Sequence, residues 1–360
     1  MPQITRIFAD FRHGFFTDDI DRLVNKFEKT NELIFNGTWV ENEESVRILK
    51  IIKTILTALN VVNINLKDDT KNGYLRQIEE LKGLKVRYGN NIFPFLATDP
   101  RREGMSGYIT DNVGRENSFR GIKMYAPNGY SPTDPLLFDD AKGFINGKCL
   151  YAYCIENRIP IMAHCSNAGF STFVMELEVC GDILVHDVNG DIIIKDEMGN
   201  VTNYRYEHYD TPTMITFNSS LTTGGFALAV RERACTLNHP RIWRKVLEKY
   251  PDLTLCLAHF GGESIEWRME IAQLMRDFIN VYTDLSCMTD EKKLKQIKKE
   301  YFDKNDPIAE KIMYGSDFFL NMLGRIEFNN YYKHFTKVFS SAQIKKMSLD
   351  VPVNFLSCDR

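Results

Sequence analysis

The chain has no C-x-x-C pair, no apolar stretch long enough for a bilayer, no phosphate-binding glycine loop after an apolar run, and no large excess of either charge. Each absence closes off a class. Cysteines stand at 149, 154, 165, 180, 235, 256, 287 and 358, and no two have zinc-knuckle or thioredoxin spacing. Several lie inside apolar runs, as Cys256 does in Leu255-Cys256-Leu257, and read as buried free thiols of a reducing cytoplasm. No run of about 18 apolar residues occurs, so nothing is expected to span a membrane. Met1-Pro2-Gln3 opens without the basic and apolar regions of a signal peptide. Lys and Arg number 45 against 48 Asp and Glu, a net charge of −3, which gives no electrostatic reason to expect nucleic acid. Without G-x-G-x-x-G or G-x-x-x-x-G-K-[ST], the nucleotide-binding sheets lose support.

What is present is an ordinary globular composition, 44% hydrophobic and 26% charged over 360 residues. Length allows two domains or one large α/β barrel. Seven short apolar runs read as strands, at 59–66, 92–98, 121–125, 159–165, 253–260, 281–286 and 311–317. Most are continuous rather than alternating, as expected of parallel strands covered on both faces. Successive starts lie 33, 29, 38, 94, 28 and 30 residues apart, and about 30 is one strand-plus-helix unit. The repetition predicts a (β/α)8 TIM-like barrel, with a doubly wound open sheet as the alternative.

Helical spacing fills most gaps. Leu75, Ile78 and Leu81 mark 73–88, and Phe144, Leu150, Tyr153 and Cys154 precede the 159 run. Pro240 opens a helix carrying Ile242, Val246 and Leu247, with His239 as its cap. Ile265, Met269, Leu274 and Phe278 follow the 253 run, whereas 98–120 reads as a long loop. The 94-residue gap predicts an insertion at 170–225. Within it, 182–206 alternates around Asn189-Gly190 and Gly199-Asn200, a small antiparallel excursion shaping a pocket or a subunit contact.

In a barrel, catalytic groups stand at the C-terminal ends of strands. Lys123, His164, His259, Asp284 and Asp317 occupy such ends here. An ionisable group at the end of an apolar strand is costly unless paired or bound to something. Two imidazoles and a carboxylate suit Zn²⁺ or a similar divalent ion, and a carboxylate beside metal-bound water can take its proton. Asp284 either hydrogen-bonds within the barrel or reaches substrate. Arg101 and Arg102 either bind a substrate carboxylate or form surface ion pairs. His186, His208 and His334 read as packing or solvent-facing residues, and alternation points Cys165 away from His164.

The chain resembles the amidohydrolase superfamily, in its amidohydrolase-2 branch of metal-dependent hydrolases and decarboxylases. The carrying segments are Phe93-Pro94-Phe95-Leu96-Ala97-Thr98-Asp99-Pro100-Arg101, Gly121-Ile122-Lys123-Met124-Tyr125, Ile161-Met162-Ala163-His164-Cys165, residues 240–262, Tyr282-Thr283-Asp284-Leu285-Ser286, Tyr314-Gly315-Ser316-Asp317 and Asn354-Phe355-Leu356. The resemblance runs from about residue 59 to 360. It implies that His164 and Asp317 bind a divalent metal, zinc in the first instance. It also implies that Asp317 acts as base, that His259 orients or protonates substrate, and that Lys123 contacts substrate. The implied activity is cleavage of a C–N, C–O or C–C bond in a small carbonyl-bearing, carboxylated substrate. Arg101 is the candidate carboxylate partner.

The family's H-x-H at the end of strand one is missing. The seven histidines are 13, 164, 186, 208, 239, 259 and 334, and His13 alone precedes residue 59. Two explanations stand. Either strand one is lost or degenerate, leaving a helical segment at 1–58, or the barrel has diverged into a metal-independent lactonase-like enzyme or an inactive binding protein. A barrel without strand one would expose edges, which predicts low stability, a covering segment or a homo-oligomer. The chain is therefore expected to form one barrel domain across 1–360, cytoplasmic, acting on a small molecule and binding neither nucleic acid nor membrane.

Overall fold

The computed structural model describes residues 69–168, 175–186, 204–218, 226–317 and 328–356. The expected strand at 59–66, the segment 1–58 and His13 lie outside the described residues. The other six expected strands are present as β1 (Phe95–Thr98), β2 (Gly121–Met124), β3 (Ile161–Ser166), β6 (Leu255–Gly261), β7 (Val281–Asp284) and β8 (Ile312–Met313). They form one parallel sheet in the order β1-β2-β3-β6-β7-β8. Each strand pairs with the next one of the sheet in chain order. A doubly wound sheet reverses its order at a switch point, and this sheet does not, so the architecture is that of a TIM-like barrel.

The sheet is covered on both sides, which is why its strands read as unbroken apolar runs. Leu255 and Leu257 of β6 belong to the outer core with Trp243, Trp267 and Ile271 of the flanking helices. Cys256, between them, faces inward and packs with Met313, Val351, Phe355 and Leu356, against which Phe95, Met162 and Tyr282 also lie. The register places Lys123 opposite Met162, Met162 opposite Cys256 and Cys256 opposite Tyr282, so these four share one inner layer. Below it the helix Val351–Phe355 plugs the barrel: Phe355 stacks on Phe95 at 6.0 Å and tilts against Tyr282 at 5.4 Å. Arg120, nearly buried at the foot of β2, donates to the carbonyls of Leu356 and Arg158. With that end filled, the C-terminal strand ends are the face left for a site.

The expected helices occur at Asp69–Tyr88, Leu150–Glu156, Pro240–Lys249 and Ile265–Asp277. The expected loop at 98–120 is corrected, because it contains the helix Met105–Asn112. Met105 and Ile109 are its buried face, one turn apart, and Gly104 opens it in a left-handed conformation. Gly107, Thr110 and Asp111 dilute that stripe in the sequence. No helix among the described residues is long and apolar enough to cross a membrane.

Among the described residues the insertion forms an antiparallel hairpin, β4 (Glu176–His186) with β5 (Tyr204–Thr216), longer at its base than the alternation predicted. The two turn signals fall outside the described residues. Leu177, Val179 and Ile183 pack with Phe217 and Leu237 in a small separate core. Polar contacts dock the hairpin on the barrel: Asp182 N donates to Thr133 Oγ1 at 2.6 Å, and Lys245 Nζ donates to Asp182 Oδ1 at 2.7 Å. Gly181 sits at the bulge with φ +92°, and a Cβ there would lie 2.5 Å from Thr133 O.

Beneath this junction Asp134 caps the helix Pro135–Phe138 by accepting from Leu136 N at 2.9 Å. Burial, with the Asp99 charge adding to it, pushes its carboxyl up to about 6. A carboxyl raised on folding stabilises the protein fully only below its unfolded value, and that contribution is lost as pH rises through 6. Asp134→Asn keeps a capping side chain. It is expected to gain about 2–3 kcal/mol over the parent near pH 8 and nothing near pH 4, as read from paired thermal melts.

Candidate active site

Three successive strand ends deliver the site. β6 ends in His259-Phe260-Gly261-Gly262, β7 in Asp284-Leu285-Ser286-Cys287, and β8 leads through Tyr314-Gly315-Ser316 to Asp317. The backbone leaves its extended path at each of them. His259 has φ 71°, Phe260 45°, Cys287 61° and Asp317 44°. These are four of the seven non-glycine residues with positive φ among the described residues. Left-handed backbone costs such residues of order 1–3 kcal/mol and gathers at functional sites.

Asp284 explains the turn at His259. Its Oδ1 accepts from His259 N at 3.1 Å, from Ser286 N at 2.9 Å and from the Ser286 hydroxyl. Ser286 Oγ lies 2.7 Å from His259 Nδ1. Since the serine proton goes to Asp284, the imidazole donates Nδ1–H to Ser286 Oγ. The carboxylate therefore orients the ring through a hydroxyl and fixes its tautomer. Asp284 thus takes the internal role, one of the two left open by the sequence. Gly315 passes close behind, where a Cβ would lie 2.8 Å from Ser286 Cβ and 3.1 Å from Asp284 Oδ1.

A ring nitrogen of His259, Cys287 Sγ and an Asp317 carboxylate oxygen lie within 4.8 Å of one another. The thiol donates to Asp317 Oδ2 at 3.1 Å. Burial pushes the Cys287 thiol up and the Asp317 charge adds to this, while the Lys123 ammonium pulls the other way. The same ammonium acts on Cys256, so Lys123 faces this space from the inner layer of β2. A nitrogen, a sulfur and a carboxylate oxygen in mutual reach are a donor set that fits a divalent metal with open positions.

His164 stands beside the cluster. Its ring meets His259 edge-on at 4.7 Å and stacks on Tyr125 at 4.3 Å, and its Nε2 donates to Ala168 O at 2.8 Å. The expected residues His164, His259, Lys123 and Asp317 are therefore brought together. Arg101 is not brought in with them. Its guanidinium is bidentate on Asp99, at 2.9 and 2.6 Å, and also donates to the carbonyls of Asn128 and Gly129. The fork assigned to a substrate carboxylate grips the chain's own one, and the Arg101 charge, acting against burial, holds Asp99 below the usual carboxylate range.

His239 caps its helix, its Nδ1 accepting from Arg241 N at 3.2 Å. His208 lies beside Asp182, and His334 Nδ1 is 3.0 Å from Glu291. Cys165 is fully buried in the outer core, pointing away from the site. Sequence reasoning missed Cys287 and Ser286. Ser286 closes the run at 281–286 and Cys287 follows it, and the polarity at that end was their one signal.

The sequence profile of the Amidohydrolase family (Amidohydro_2) matches residues 111–338. Among solved structures, similarity extends to an uncharacterized TIM-barrel protein from Bordetella bronchiseptica. It has 13% identity, covers 78% of this chain and 72% of that one, and has a TM-score of 0.43. A dihydroorotase from Campylobacter jejuni is 15% identical over 78% of this chain and 72% of its own, with a TM-score of 0.37. The 5-carboxyvanillate decarboxylase from Novosphingobium aromaticivorans, complexed with manganese and 4-hydroxy-3-methoxy-5-nitrobenzoic acid, is 13% identical over 80% and 70%, with a TM-score of 0.43. No curated protein matches the chain.

Proposed function

The chain belongs to the Amidohydrolase family, and from that premise we propose a metal-dependent hydrolase acting on a small carbonyl-bearing, carboxylated substrate. The observation that carries this reading is the convergence of His259, Cys287 and Asp317 beside His164 at the strand ends. A divalent ion held by Asp317 and a neighbouring imidazole, His164 or His259, would supply water of lowered pKa.

The chain's own groups account for the rest. The Asp317 carboxylate takes a proton from the attacking water. The same carboxylate gives it to the leaving atom, while His259, steadied at Nδ1 by Ser286 and Asp284, keeps Nε2 turned to where the ion and the substrate carbonyl would sit. The Asp284 charge behind Ser286 strengthens that nitrogen as a donor. Lys123 meets the substrate carboxylate from the inner layer of β2. Water is consumed, one bond to the carbonyl carbon breaks, and the proton ends on the departing group.

Two measurements on the purified full chain test this reading: metal content, and turnover across a panel of lactones, esters and amides before and after chelation. Stoichiometric divalent metal with chelator-sensitive turnover is expected. Turnover indifferent to chelation would replace the reading with a metal-independent, lactonase-like one, for which the Asp284–Ser286–His259 relay is already in place. Neither metal nor turnover would leave an inactive binding barrel.

The relay carries its own prediction. Ser286→Ala is expected to lower kcat by roughly 10–100-fold, the usual effect of losing a group that orients a ligand or catalytic ring. Metal affinity should fall with it, because the ring that turns Nε2 to the ion loses its link to Asp284. A purely structural serine would leave metal affinity in place.

A further inference from the structure

We propose that Cys287 is a metal-binding thiolate, and that His259, Cys287 and Asp317 form a nitrogen–sulfur–oxygen triad selective for a zinc-type, thiophilic divalent cation. The inference rests on the metal-dependent reading above and adds the identity of a ligand and of the metal class.

Four observations support it. The donor atoms already lie within 4.8 Å of one another. Bonds of about 2.3 Å to sulfur and 2.0–2.2 Å to nitrogen and oxygen place tetrahedral ligand atoms about 3.5 Å apart, so the widest gap has only about 1 Å to close. All three residues have left-handed backbone, at φ 71°, 61° and 44°. A cysteine has no conformational reason to adopt that region, and the strain is explained if Sγ must be aimed at a shared point. The three residues follow consecutive strands of the sheet, so the fold itself converges them. Finally, Cys287 differs from the other described cysteines: the other six are buried and it alone is half-buried, and its sulfur stands 3.1 Å from the Asp317 carboxylate, closer than Cys256 Sγ stands to Asp284 at 3.8 Å.

Thiolate ligands favour Zn²⁺ over hard cations such as Mg²⁺ and Mn²⁺, which prefer all-oxygen shells. Coordination exchanges the Cys287 proton for the cation, and the proton leaves to solvent. The triad keeps at least one position open for water or substrate, as catalytic rather than structural zinc requires.

The test loads the full chain with Co²⁺ and reads the near-ultraviolet thiolate-to-cobalt charge-transfer band, alongside Zn²⁺ and Mn²⁺ competition. The wild type is expected to show the band and to prefer Zn²⁺. Cys287→Ser and Cys287→Ala should lose the band and bind Zn²⁺ at least 100-fold more weakly, beyond the roughly 10–100-fold typical of outer-shell partners. Cys256→Ser should keep both properties, and thermal melts confirm that the variants are folded. Stoichiometric cobalt without a sulfur band, or a band surviving in Cys287→Ser, overturns the thiolate and leaves the hydrolase reading standing. A wild type that binds no divalent ion overturns both.

Discussion

Asp317→Asn is expected to remove turnover and bound metal together, with kcat/KM falling by roughly 10³-fold or more on the best substrate of the panel. Loss of a general base alone accounts for about 10²–10⁴-fold, and loss of an anionic ligand adds to it. The substitution is chosen for the backbone. Asp317 stands at φ 44°, and Asn tolerates that region as well as Asp does. The amide can still accept from Cys287, so the local hydrogen bond at 3.1 Å survives in kind. What disappears is the negative charge and its ability to take a proton. A variant that keeps its thermal midpoint but loses metal and activity therefore locates the chemistry at this carboxylate. Retention of both within about tenfold would place the site elsewhere.

The strands were legible because burial on both faces leaves little room for polar residues. The run at 253–260 became β6, Leu255–Gly261, almost unchanged. The run at 311–317 was not equivalent: only Ile312–Met313 forms ladder, and the rest turns over the site. His239 could be assigned its cap because Pro240 marks a helix start without reference to tertiary contacts. Arg101 could not be assigned, because the choice between substrate and Asp99 depends on side-chain geometry that spacing does not encode.

Cys287 escaped notice for a related reason. Alternation predicts the facing of a residue only while the backbone stays extended. Beyond Asp284 it does not, and a left-handed residue redirects the side chains that follow it. Lys123, His164 and His259 were found because they lie within strands, and Asp317 because it closes an apolar run. The residue most easily lost lay a few residues past a strand end, where catalytic residues of barrels are concentrated.

The turn after β6 supplies the largest expected effect on stability. Gly261 has φ 77°, and a Cβ built there would stand 2.7 Å from Arg268 N, 2.8 Å from Trp267 Cβ and 2.9 Å from Trp267 C. Two of these atoms are backbone of the helix Ile265–Asp277, which Ser264 anchors by accepting from Trp267 N at 3.2 Å. Trp267 is buried against His239 at a ring distance of 4.8 Å, so the helix has nowhere to retreat. Gly261→Ala should therefore incur left-handed strain of about 1–2 kcal/mol and overpacking of about 1–3 kcal/mol. A total near 2–5 kcal/mol is expected in denaturant unfolding. Gly107→Ala is the control: that glycine is helical with nothing within 4 Å of its Cβ position, and alanine there should stabilise by about 0.4–1 kcal/mol. The contrast reaches the chemistry because Gly261 lies two residues from His259. If the turn relaxes by moving β6, the His259–Ser286 contact at 2.7 Å opens, and Gly261→Ala should also lower metal affinity, as Ser286→Ala does. A Gly261→Ala protein as stable as its parent would mean that the close approach of this helix to the site is not a real constraint.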